Sequence, residues 1–182
     1  LSLQRNPHKI FADAIRYANR ELIEKSKSNP ELKGMGTTMV ALTIIGDKAY
    51  VANVGDSRLY LMEDSLMQIT VDHSLVQEMI KIGELSKEDA RLHPDKNIIT
   101  RAVGAGRDIN ADYFEFTITK DSILLMCSDG LSNMVADDQI AVLLKSAEEP
   151  EKIGKKLIET ANRNGGKDNI AVIVINSKSG EV

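Results

Sequence analysis

Two stretches of this chain carry no charged or amide side chain, and each is joined to an aspartate. Ile123-Leu-Leu-Met-Cys127 runs through Ser128 into Asp129-Gly130-Leu131, and Asp168-Asn169 runs out into Ile170-Ala-Val-Ile-Val-Ile175. Apolar runs of five or six residues bounded by Gly-containing turns read as buried strands. If the two strands lie antiparallel in one sheet, the end of the first and the start of the second share an edge, so both carboxylates meet there. A pair of hard oxygen ligands at a sheet edge suggests a divalent metal.

The rest of the chain supplies strands in runs with helices grouped between them. Asn6-Pro7 is a helix start, and Ile10, Phe11, Ala14, Ile15, Ala18, Leu22 and Ile23 repeat at helical spacing until Ser28-Asn29-Pro30. From Thr37 the period becomes that of strands: 37–45, a Gly46-Asp47 turn, 49–54, 58–62 and 66–70, read together as an antiparallel meander. Two short helices are expected between Asp72 and Leu92, the second opened by Ser86 with Asp89 three residues on, a weakened capping box, and closed by Pro94. Strands follow at 98–103, 112–118 and 122–127, helices at 137–144 and 150–162, and a last strand at 169–175. This order favours an α+β sandwich over a doubly wound parallel sheet.

With 182 residues, the chain is long enough for one domain with a sizeable core. Its 42% hydrophobic and 27% charged residues are ordinary for a globular protein, and no apolar run reaches transmembrane length. The net charge of −4 is spread without a basic block, which argues against a nucleic-acid partner. The one cysteine, Cys127, lies in a strand pattern and reads as packing in a reducing compartment. With no signal-peptide pattern at the start, a cytoplasmic location is expected. The first residue is Leu1 and a helix opens almost at once, so a segment is expected upstream.

Asp-Gly and Gly-Gly-Lys-Asp are also common turn sequences, so Asp129 and Asp168 taken singly read as turn residues. A third carboxylate changes this: Val54-Gly55-Asp56-Ser57-Arg58 sets Asp56 at the end of another apolar strand. Three such aspartates brought together would repel one another without a cation. Carboxylate oxygen favours magnesium or manganese, whereas zinc would recruit His or Cys, and the three histidines are scattered. Paired divalent ions on aspartates activate water and neutralise a phosphoryl group, which makes phosphoester hydrolysis the natural reaction class. No Walker spacing, dinucleotide fingerprint or Gly-x-Ser-x-Gly elbow is present.

The ordered set Gly34-Met-Gly36-Thr37-Thr38, Val54-Gly-Asp-Ser-Arg58, Asp72-His-Ser-Leu-Val76, Arg91-Leu-His-Pro94 through Thr100-Arg-Ala-Val-Gly104, Ser128-Asp-Gly-Leu131 and Gly166-Lys-Asp-Asn169 resembles the metal-dependent type 2C protein Ser/Thr phosphatases, bacterial branch. The match extends over nearly the whole chain. It implies a single catalytic domain, an α-β-β-α sandwich of two antiparallel sheets flanked by helices, with Mn2+ or Mg2+, two or three ions, in a cleft at one end. By position, Asp129 and Asp168 match the aspartates that hold the first of the paired metals. Asp56 matches one associated with a third, weaker metal that Asp129 also approaches. The stretch from about 80 to 97 matches a flap that touches protein substrates, and Thr37 and Thr38 match a motif read as packing.

The family's first motif, an Asp-Gly that bridges the two central metals together with a phosphate-contacting arginine, is not in this sequence. An N-terminally truncated domain lacking its first strands is therefore expected, in a phosphatase that hydrolyses phosphoserine and phosphothreonine in proteins. No catalytic residue beyond the metal ligands is assigned. The alternative is a catalytically silent phosphatase-like module that binds partners through flap and cleft. His8, His73 and His93 read as hydrogen-bonded or solvated residues, and Arg58 and Arg101 as partners of nearby carboxylates rather than substitutes for the phosphate-contacting arginine.

Overall fold

Asn6 opens the first helix, α1 (Pro7–Ser28): its side chain accepts from the His8 N–H at 3.0 Å, and Pro7 fills the first turn, where a missing N–H costs nothing. The computed structural model describes residues 6–146 and 148–177. These fall into two compact units, the first made of residues up to Asp56 with Asp72–Phe116, the second of Ser57–Val71 with residues from Thr117 onward.

In the first unit, β1 (Met39–Ile45) and β2 (Lys48–Val54) form a hairpin, Ile45 opposite Lys48, across the two-residue turn Gly46-Asp47. Gly46 takes φ +62°, which suits the strand twist. The helices α2 (Leu75–Lys81) and α3 (Lys87–Ala90) follow, and β5 (Asp112–Thr117) completes a three-stranded sheet in the order β1-β2-β5. The α1 stripe of Phe11, Ile15, Ala18 and Leu22 packs with Ala52, Val54 and Val103. Asn19, on the same helix and buried, accepts from the Gly104 N–H at 2.6 Å and donates to the Gly106 carbonyl at 2.8 Å, so it ties down the loop after residue 103.

The second unit holds β3 (Arg58–Met62), β4 (Leu66–Gln68), β6 (Ile123–Cys127) and β7 (Val172–Asn176) in the order β4-β3-β6-β7, every neighbouring pair antiparallel. Its helices are α4 (Asp129–Ser132), α5 (Asp137–Leu144) and α6 (Pro150–Arg163). Alternate strand residues Tyr60, Met62, Leu125 and Cys127 cluster with Leu131, Ile140, Leu144 and the α6 stripe Ile153, Leu157 and Ala161. Each fully buried Leu or Ile contributes about 1.5–3 kcal/mol, so this cluster is what holds the site-bearing end of β6 and β7.

Two antiparallel sheets with helices match the α+β expectation. Several details differ. The expected four-strand meander is split, because the chain leaves one sheet after Val54 and enters the other at Arg58. Gly55 takes φ +105° there, so the turn breaks the register instead of continuing it. Residues 98–103 are not a strand: they make only the isolated bridges Ser74–Ile99 and Thr37–Val103. The helix expected up to Pro94 stops at Ala90, and Ser86 caps it through the Asp89 N–H at 3.1 Å. Among the described residues no helix is long and apolar enough to cross a membrane.

Candidate metal centre

Because β6 and β7 pair with Cys127 opposite Val172, Asp129 and Asp168 leave the sheet at the same end. Ser128 fastens the two connections. Its backbone N–H donates to the Ala171 carbonyl at 3.0 Å, its hydroxyl accepts from the Ala171 N–H at 3.0 Å and donates to the Asn169 carbonyl at 3.1 Å. Gly130 then lies so close to the 169 backbone that an added Cβ would overlap the Asn169 carbonyl oxygen. On the other side, Gly165 and Gly166, both at positive φ, turn the chain out of α6 toward Asp168, whose Oδ1 accepts from the Asn169 N–H at 2.7 Å.

The pairing is electrostatically costly. Burial pushes the Asp129 carboxyl above its ordinary value, and the charge of Asp168 pushes it further; the Gly130 N–H and the Arg58 charge oppose this without cancelling it. Asn133 also donates to Asp129 Oδ2 at 3.1 Å. Two neighbouring carboxylates, one half-buried, form a site that a divalent cation relieves. The donor set fits magnesium or manganese, which keep several waters and need only one or two protein carboxylates. Among the described residues no group of three His, Cys, Asp or Glu side chains is placed to hold a metal, so the fit is that of a pair completed by water.

Of the three aspartates singled out in the sequence, the structure brings Asp129 and Asp168 together, while Asp56 belongs to the other unit. Asp56 is 9% exposed and follows Gly55, where a Cβ would overlap the Thr38 side chain, so Thr38 packs there as expected. Buried His73 takes the Gly55 N–H on Nδ1 at 3.0 Å and lies 3.2 Å from Asp112 Oδ2 through Nε2. Arg101 donates to Asp112 at 2.9 Å, a carboxylate partner of the kind expected for it. Arg58 donates to the Tyr60 hydroxyl at 2.8 Å. His8 sits with its ring centroid 5.6 Å from that of Tyr50 and 5.4 Å from that of Tyr113, and His93 accepts from the Asp95 N–H at 3.2 Å, a turn contact.

Sequence reasoning did not find the fastening by Ser128 and Gly130, nor the link from His73 to Gly55. The Ser-Asp-Gly string carried the first signal, but as a turn dipeptide only. The second spans eighteen residues with no periodicity to mark it.

The family model described as "Protein phosphatase 2C" matches residues 2–79. "Serine/threonine phosphatase stp" of Listeria monocytogenes serotype 4b is 43% identical over 162 residues, covering 88% of this chain and 64% of the relative. This chain thus spans a little under two thirds of that relative's length. The crystal structure of Serine/threonine phosphatase Stp1 from Staphylococcus aureus matches with a TM-score of 0.91 at 35% identity, over 96% of this chain and 69% of that one. The chain belongs to the protein phosphatase 2C family. The crystal structure of the catalytic domain of serine threonine protein phosphatase PstP in complex with two manganese ions matches with a TM-score of 0.81 at 34% identity, over 89% of this chain and 67% of that one. Membership agrees with the two antiparallel sheets and with the resemblance read from the ordered motifs of the sequence.

Proposed function

We propose that this chain carries part of the catalytic apparatus of a manganese- or magnesium-dependent phosphatase acting on phosphoserine and phosphothreonine in proteins. The observation that carries the reading is the Asp129–Asp168 pair, two carboxylates held against their own repulsion at the end of β6 and β7. Asp129 and Asp168 are the proposed ligands of one ion, and Asp56 of a further, weaker one. Divalent ions bound by such aspartates polarise a phosphoryl oxygen and lower the pKa of water.

The chain's own residues supply position. Ser128 and Gly130 fix the separation of the two connections, Asn133 orients one oxygen of Asp129, and Arg58 offsets part of the negative charge. The relative bearing two manganese ions supports a paired-ion chemistry, and manganese is the ion to test first. Residues 80–97 are the proposed flap toward protein substrates; within them Ile82 is 67% and Leu92 87% exposed, apolar surface that a peptide would cover.

Hydrolysis of a small aryl phosphate with and without manganese, beside Asp129→Ala, tests the reading. Metal-dependent turnover that Asp129→Ala abolishes is the expected result in a version that carries the family's first Asp-Gly motif, whereas this chain, which lacks that motif, is expected to be weak or inactive alone. Binding of manganese without any turnover, by this chain and by a version extended at its N-terminus to the length of its relatives, would favour the silent binding module instead.

A further inference from the structure

We propose that His73 is a positioning residue for Asp56: it holds the Gly55-Asp56 turn through the backbone of Gly55 and so sets where the Asp56 carboxylate is presented. The inference rests on the reading of Asp56 as a ligand of a divalent ion. His73 is 2% exposed and grips Gly55 at two points. Its Nδ1 accepts from the Gly55 N–H at 3.0 Å, and its own backbone N–H donates to the Gly55 carbonyl at 2.9 Å. A backbone N–H can only donate, so Nδ1 carries no proton and the ring proton is on Nε2.

The far side of the ring is anchored in turn. Nε2 lies 3.2 Å from Asp112 Oδ2 and 3.2 Å from Arg101 Nη1, which itself donates to Asp112 Oδ1 at 2.9 Å, so the far edge of the ring is held in a cluster with Arg101 and Asp112 that fixes the ring plane. The His73 carbonyl accepts from the Thr100 N–H at 2.8 Å, which fixes its backbone. Gly55 needs such a hold. With φ +105° and Thr38 filling the space a side chain would take, its conformation is the one that only glycine enters easily, and Asp56 follows it directly. An outer partner that orients a ligand this way changes metal affinity about 10–100-fold when removed.

Two substitutions separate the positioning role from mere packing. Asn at 73 offers an acceptor oxygen near the place of Nδ1, while Gln offers its amide near the place of Nε2 and leaves the Gly55 N–H without its partner. Calorimetric titration of the chain with Mn2+ is made for the wild type, His73→Asn, His73→Gln and Asp56→Asn. Asp56→Asn is expected to abolish the weaker binding event; His73→Gln to weaken that event at least about tenfold with the tighter event unchanged; and His73→Asn to restore it to within a few-fold.

Loss of the weaker event in Asp56→Asn with no change in His73→Gln overturns the positioning role and leaves the ligand reading intact. Unchanged binding in Asp56→Asn overturns the ligand reading and this inference with it. Equal weakening of both events in both His73 variants marks a general folding defect and also overturns it. Should a variant fail to fold, imidazole 15N shifts of the wild-type chain still decide: an unprotonated, hydrogen-bonded Nδ1 with the proton on Nε2 supports the grip on Gly55, and a protonated Nδ1 rules it out.

Discussion

Gly130 packs directly on the carbonyl oxygen of Asn169, with no room between them for a methyl group. The close approach is what lets the start of α4 and the connection into β7 run side by side, and so what keeps Asp129 beside Asp168. In Gly130→Ala the new Cβ meets backbone, which cannot swing aside as a side chain would, so the 168–170 segment must move. Overpacking of this kind costs about 1–3 kcal/mol. The expected outcome is a lower denaturation midpoint together with manganese binding weakened at least tenfold by calorimetry. Stability lost with the metal affinity intact would show that the two aspartates do not depend on this contact.

Asp129 and Asp168 are held together at a cost that the folded chain bears without a cation. Replacing Asp129 by Asn removes one charge from a half-buried site while keeping its shape. The metal-free Asp129→Asn chain is therefore expected to melt no lower than the wild type, and the order reverses when manganese is added. At one hundred times the dissociation constant, binding adds about 2.7 kcal/mol to the wild type and little to the variant. Thermal melts at rising manganese concentration check both halves. A variant that is stabilised by manganese as strongly as the wild type would remove Asp129 from the site.

How much of this was legible beforehand depends on whether the signal was local. The buried strands β6 and β7 follow from two unbroken apolar runs, and their antiparallel pairing put the aspartates at one edge as expected. Helix α1 was marked by its apolar stripe and by Asn6-Pro7, both short-range features. The sheet change between Val54 and Arg58 was not legible, because apolar periodicity reports that a segment is a strand and not which sheet it joins. The same limit applies to residues 98–103, whose Ile-Ile-Thr-Arg-Ala-Val string has strand propensity but forms only isolated bridges. The grip of His73 on Gly55 depends on tertiary approach, and nothing within a helical turn or strand repeat announces it.

The Asp112 carboxylate in the first unit predicts an acid-sensitive contribution. Burial pushes Asp112 up, but the hydrogen bond and charge of His73, and then those of Arg101, outweigh it and hold the group below its ordinary value of 3.8. A lowered folded-state pKa means that the contribution is complete above 3.8 and is lost as pH falls through the lower folded value. Asp112→Asn should thus be less stable than the wild type at neutral pH, with the gap closing below about pH 4. Because Asp112 is 40% exposed and screened by water, the gap at neutral pH is expected to stay under about 1 kcal/mol. Urea denaturation at several pH values measures it, and a gap that widens on acidification would contradict the sign.

Tyr60 sits fully buried in the core of the second unit with its hydroxyl between two charged groups, accepting from Arg58 at 2.8 Å and donating to Asp137 Oδ1 at 3.3 Å. Burial drives its phenol well above the ordinary 10, and Asp137 adds to this against the opposing charge of Arg58, so the group is neutral at any working pH. Tyr60→Phe keeps the ring in its core position but deletes the acceptor for Arg58 and the donor for Asp137. Hydrogen bonds to charged partners contribute about 1.5–3 kcal/mol, and part of this is recovered by water at the exposed ends, so a loss of about 1–2 kcal/mol is expected. Tyr17→Phe is the control: that tyrosine is 58% exposed on α1, and its change should stay within about 0.5 kcal/mol. Equal effects in the two variants would mean that the Arg58–Tyr60–Asp137 link adds nothing to stability, and that the cation beside Asp129 is held by other contacts.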